Sequence, residues 1–166
     1  ALQLEGGADV HDDPAVLDPD DLPAELLSGD RPFVLRGTFA RWPVVQAARR
    51  SDEALARYLM GLYNGVRVGL FQLPPEARGR AFYADDSLTG FNFTRHVGTL
   101  DQVLTALLGL AATAEPPSLY VGSTTVEAVL PGFLDANRVG LGAREALVSL
   151  WLGNRSRVAA HYDLPD

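Results

Sequence analysis

A chain of 166 residues with 14 Lys+Arg against 21 Asp+Glu carries a formal charge of −7, and 47% of it is hydrophobic. That length and apolar content suit one domain with a real core, while the acidity argues against a nucleic-acid backbone or an anionic membrane surface as partner, since both need a basic face. The absence of cysteine excludes disulfides and thiolate metal sites. With no run near the ~20 apolar residues of a membrane span and a start, Ala1-Leu2-Gln3-Leu4-Glu5, that lacks a signal-peptide pattern, the expected location is cytoplasmic.

Residues 1–30 are acidic and punctuated by prolines, as at Asp12-Asp13-Pro14 and Asp18-Pro19-Asp20-Asp21. They read as an N-terminal arm, either lying over the domain that fills 31–166 or solvated, with one short helix near Pro23 stopped at Gly29. The triplet His11-Asp12-Asp13 is expected to have no strand around it. Phe33-Val34-Leu35 reads as a short strand ending at Gly37, followed by a turn through Trp42-Pro43 and a short helix to Arg50. Trp42 is expected in the core.

Ser51 can cap the next helix, with Asp52 and Glu53 in its first turn, and Leu55, Tyr58, Leu59 and Leu62 fall on one helical face. Asn64-Gly65 marks a turn before a strand over 66–71, which Pro74-Pro75 closes. Ala81-Phe82-Tyr83 is a candidate strand, and 85–93 reads as loop. Thr99-Leu100-Asp101-Gln102 has the form of a capping box, opening a core-facing helix from Leu100 to about Ala112. Glu115-Pro116-Pro117 stops it. A strand over 118–122, a short helix over 125–130 and a polar connection over 134–144 follow. Asn92 and Asn154 head Asn-x-Ser/Thr triplets, read as chance.

The last stretch carries the chemistry. Ala146 to Leu152 reads as a buried strand with Trp151 packing inside it, and Gly153-Asn154 reads as a turn. Val158-Ala159-Ala160 then leads to His161-Tyr162-Asp163. Residues two apart on a strand share a face, so His161 and Asp163 can aim an imidazole and a carboxylate at one point. That is how two ligands of a 2-His-1-carboxylate iron site are placed. His96 is the alternative source of a further ligand.

Leu150-Trp151-Leu152-Gly153 with Ala160-His161-Tyr162-Asp163 resembles the JmjC/cupin-like family of Fe(II)- and 2-oxoglutarate-dependent oxygenases. The likeness is to the small cupin-like branch that includes an asparaginyl hydroxylase, factor inhibiting HIF. Arg31-Pro32-Phe33-Val34-Leu35-Arg36-Gly37, Ala40-Arg41-Trp42-Pro43 and Leu119-Tyr120-Val121-Gly122-Ser123 resemble it too, in the family's order. The resemblance implies an α+β fold, a helical N-terminal region leading into a double-stranded β-helix (a cupin-like jelly roll). It also implies Fe(II) on His161 and Asp163, with 2-oxoglutarate as cosubstrate and a hydroxylated peptide or small molecule as substrate. A homodimer is left open. In that pattern the third ligand, a His, and the cosubstrate lysine lie after Asp166, so the chain is expected to be the N-terminal part of the domain. Tyr120 matches a family cosubstrate tyrosine, although core packing accounts for it equally well. The family threonine is Val158 here, which removes one hydrogen bond. A non-catalytic scaffold binding a ligand or protein is the alternative reading.

Overall fold

The computed structural model describes residues 11–13, 17–28, 33–141 and 146–158. Its helical layer is built where the sequence supplies ends for helices. Pro43, whose fixed φ suits the first helical position, opens α2 (Pro43–Arg50), and Arg49 and Arg50 sit in its last turn, where the helix dipole favours cations. Ser51 ends α2 and starts α3 (Asp52–Leu62): its extended backbone breaks the first helix, and its Oγ accepts the Ala54 N–H at 3.1 Å. The Ser51 hydroxyl also holds the Glu53 carboxyl below its ordinary range, an arrangement of hydroxyl and acid that favours the helix start. Ala56 and Leu59 of α3 are buried, and Leu55, Tyr58 and Leu62 pack beside them.

A longer apolar stripe organises α4 (Leu100–Leu110), which buries Leu100, Val103 and Leu104. The Gln102 Oε1 accepts the Thr99 N–H at 3.2 Å, the side-chain-to-backbone half of the expected capping box. A short α1 (Ala24–Ser28) falls where Pro23 and Gly29 bracket it.

Four antiparallel strands make the main sheet: β3 (Val68–Leu73), β4 (Thr94–Gly98), β5 (Ser118–Thr125) and β6 (Ser149–Gly153), in spatial order β4-β3-β5-β6. The alternation of side chains gives the sheet two different faces. Val68, Leu70, Val121, Leu150 and Leu152 face the helices and join their core. Phe71, paired with Tyr120, looks the other way. With its helices and antiparallel sheet the structure is α+β, as expected. No helix among the described residues is long and apolar enough to cross a membrane.

Several local expectations shift. The strand read over 66–71 lies at Val68–Leu73, and Ala81–Tyr83 contributes only one bridge, Tyr83 to Phe91. The segment Thr94–Gly98 forms β4 although Thr, Arg and His show no apolar alternation; backbone pairing to β3 holds it at the sheet edge. Trp151 is 55% exposed rather than packed, because its neighbours Leu150 and Leu152 take the helix-side face and leave it on the opposite one, on an edge strand. His11-Asp12-Asp13, expected outside any strand, forms β1 (His11–Asp13), which pairs in parallel with β2 (Phe33–Leu35). Such pairing uses backbone groups, so it does not need apolar side chains.

The connection after β5 contains α5 (Val126–Val129) and α6 (Phe133–Ala136) and is less plainly polar than its composition suggests. Asn137 is fully buried. Its Oδ1 accepts the Val44 N–H at 3.1 Å, and its Nδ2 donates to the Tyr58 hydroxyl and the Phe133 carbonyl, each at 2.8 Å. One amide therefore ties α2, α3 and α6, and its full satisfaction is what makes its burial affordable. Trp42 is half-buried against Phe39, and its indole N–H donates to the Arg138 carbonyl at 2.8 Å.

Candidate functional site

The sheet face turned away from the helices carries a small apolar pocket of about 140 Å³, walled by Phe71, Leu73, Phe93, Tyr120 and Val158. Strand register sets the aromatic part of the wall. Phe71 and Tyr120 are cross-strand partners with ring centroids 6.3 Å apart, and Phe93 meets Phe71 edge-on at 5.3 Å. On its other side Tyr120 pairs with Gly153, and a methyl group there would press against the Tyr120 ring and the Leu119 carbonyl.

Asn154 closes the end of this pair of strands. Its Oδ1 accepts the Leu119 N–H at 2.7 Å, its Nδ2 donates to the Pro117 carbonyl at 3.1 Å, and its own N–H donates to the Leu119 carbonyl at 3.2 Å. The Ser118 hydroxyl donates to the Asn154 carbonyl at 2.8 Å. Arg155 then adopts φ 51°, turning the chain back, and the Arg157 N–H donates to the Gly79 carbonyl at 2.8 Å. This sequence of bonds brings Val158 to the pocket wall.

Tyr120 lines that apolar pocket together with Ser156 and Arg157. Burial pushes its phenol above the ordinary value of 10.0, so the hydroxyl stays protonated at neutral pH. Among the described residues it meets no hydrogen-bond partner. A neutral phenol is suited to donate to a carboxylate or carbonyl oxygen.

Of the residues singled out by sequence, Tyr120 and Val158 come together here. His161 and Asp163 lie outside the described residues. His96 does not join the pocket: it pairs with Leu70, whose side chain packs in the helix-side core, whereas Tyr120 pairs with Phe71 on the opposite face. It is exposed, and its Nε2 lies 2.9 Å from the Thr94 hydroxyl. Among the described residues no three His, Cys, Asp or Glu side chains converge to hold a metal ion. Arg155 and Arg157 are exposed, as expected of turn residues.

Sequence reasoning missed Asn154, Ser156 and Gly79, whose roles are set by partners far along the chain. It also assigned no structural role to Asn92, which fastens the loop between β3 and β4, accepting from the Phe82 N–H at 2.9 Å and donating to the Arg80 carbonyl at 2.8 Å. That loop presents Tyr83 and Phe91 stacked at 5.4 Å, with Phe93 stacked on Phe91 at 4.9 Å.

Comparison with family models finds one described as a cupin-like domain, matching residues 19–166. Neither the curated proteins nor the solved structures compared with the chain gave a match.

Proposed function

This chain belongs to the cupin-like domain family, and from that membership we propose that it forms part of an Fe(II)- and 2-oxoglutarate-dependent oxygenase hydroxylating a peptide or small molecule. The observation that carries the reading is that Tyr120, at the position matching the family's cosubstrate tyrosine, lines an apolar pocket, its hydroxyl meeting no hydrogen-bond partner among the described residues. Val158, on the same wall, stands three positions before His161.

The residues present fit a small dicarboxylate in part. Apolar walls from Phe71, Leu73 and Phe93 suit a methylene chain, and Tyr120 suits one carboxylate oxygen. His161 and Asp163 would hold iron, with a further imidazole from a later strand completing the facial set. Bound iron and 2-oxoglutarate would supply the oxidising power for C–H hydroxylation through oxidative decarboxylation. The chain's own part is to donate a proton-bearing hydroxyl from Tyr120, to exclude water with aromatic walls and to fix the iron ligands on one face. The jelly roll, the likeness to the asparaginyl hydroxylase branch, and the division into an arm over 1–30 and a domain over 31–166 belong to the same proposal.

One observation favours a second reading, a non-catalytic scaffold: Val158 presents no donor where the family pattern has a threonine. The two are separated by incubating the full-length protein with Fe(II), O2 and 2-oxoglutarate and measuring succinate. The oxygenase reading expects succinate that depends on added iron. Succinate no higher than in an iron-free control, with no metal retained by the protein, would leave the scaffold.

A further inference from the structure

Two arginine-flanked tripeptides far apart in sequence are held side by side. Arg78-Gly79-Arg80 follows a single 3₁₀ turn (Pro75–Ala77), and Arg155-Ser156-Arg157 follows the Asn154 bend. Gly79 makes the approach possible. It sits at φ 77°, and a Cβ there would collide with the Arg155 carbonyl oxygen. The Arg157 N–H bonds the Gly79 carbonyl at 2.8 Å, and Arg80 and Arg157 form a bridge.

All 14 basic residues of the chain are arginine. Four of them gather here in a protein that is acidic overall, against the local acids Glu76 and Glu115. Arg78, Arg155 and Arg157 line a groove of about 700 Å³, together with Ser156, Pro75 and Pro116 and those two acids. Arg155 is fixed at its wall, its Nη1 donating to the Ala114 carbonyl at 2.6 Å. Gly79, Ser156 and Arg157 line both this groove and the Tyr120 pocket, so the two lie side by side.

We propose that the arginine groove binds an acidic peptide segment and delivers it to the mouth of the Tyr120 pocket. As the name of a substrate class this rests on the oxygenase reading; as a binding site it does not. Guanidinium forks match carboxylates in bidentate geometry, and their planar heads lose little hydration on pairing. The groove is several times the size of a phosphate ion, and its proline walls suit an extended chain. It offers no aromatic ring on which a base could stack.

The test uses iron-free full-length protein and fluorescence anisotropy with two labelled peptides of equal length, one rich in Asp and Glu and the other carrying Asn and Gln instead. The acidic peptide should bind at least tenfold more tightly. R78Q/R157Q should lose that preference while melting as the parent does, and R49Q/R50Q on α2 should keep it. Equal binding of the two peptides, retention of the preference in R78Q/R157Q, or displacement of the peptide by 2-oxoglutarate alone would overturn the proposal. H161A separates the two readings. If it abolishes turnover yet keeps the preference, both stand; if the parent turns over 2-oxoglutarate but shows no preference, only this inference falls. A preference in a protein with no turnover removes the oxygenase reading and leaves the acidic-peptide site.

Discussion

His161→Ala in the full-length protein is expected to lower Fe(II)-dependent succinate formation on the order of 100-fold or more, since even groups that merely orient a metal ligand cost 10–100-fold when removed. Asp163→Ala should do the same. Residues two apart share a face if the segment is a strand, as the sequence predicts, and each would be one of only three protein ligands that such a site possesses. The melting temperature of the apo variants should stay near that of the parent, so that the loss reads as loss of the metal platform and not of the fold. If either variant turns over as fast as the parent, the triplet is not the metal platform.

Gly79→Ala is expected to be the most damaging single change outside the core. A side chain at φ 77° is strained by roughly 1–2 kcal/mol, and the new methyl must also displace the Arg155 carbonyl. Together these should cost about 3 kcal/mol, a fall in melting temperature of roughly 6–12 °C for a domain of this size. Gly65→Ala provides the comparison. Gly65 has φ 86° but nothing within 4 Å of an added Cβ, so only the backbone strain of roughly 1–2 kcal/mol remains. The two variants therefore separate strain from collision. Because Gly79 holds the two arginine pairs together, its substitution should also erase the preference for the acidic peptide, which Gly65→Ala should leave intact. Equal melting of the two variants would mean that the segments at 79 and 155 do not bear on each other as described.

The helices were legible because their determinants are local. Ser51 with its following acids and Thr99 with Gln102 mark helix starts, and the leucines of α4 repeat at the spacing of one face. Strands were legible where one face is buried, as in β5. They were not where the sheet edge needs only backbone pairing: Thr94–Gly98 carries no apolar period, and His11–Asp13 has the composition of a loop. Trp151 was misjudged because an apolar run reads as fully buried, whereas β6 buries one face and leaves the tryptophan on the other. At the pocket, Tyr120 was singled out through the family resemblance, which the sequence alone weighed equally with core packing. Asn154, Gly79 and Ser156 could not be singled out, since a turn residue, a glycine and a serine acquire their roles only from Leu119, Arg155 and Ser118, some 35 to 76 positions away. His161 and Asp163 rest on spacing and resemblance, as they lie outside the described residues.

Metal titration of the full-length apo protein tests the central claim most directly. Fe(II) added without oxygen should bind at one equivalent per chain in the parent and at none in H161A/D163A, with the fold of both checked by circular dichroism. A full equivalent retained by the double variant, or none taken up by the parent, would contradict the assignment of iron to His161 and Asp163.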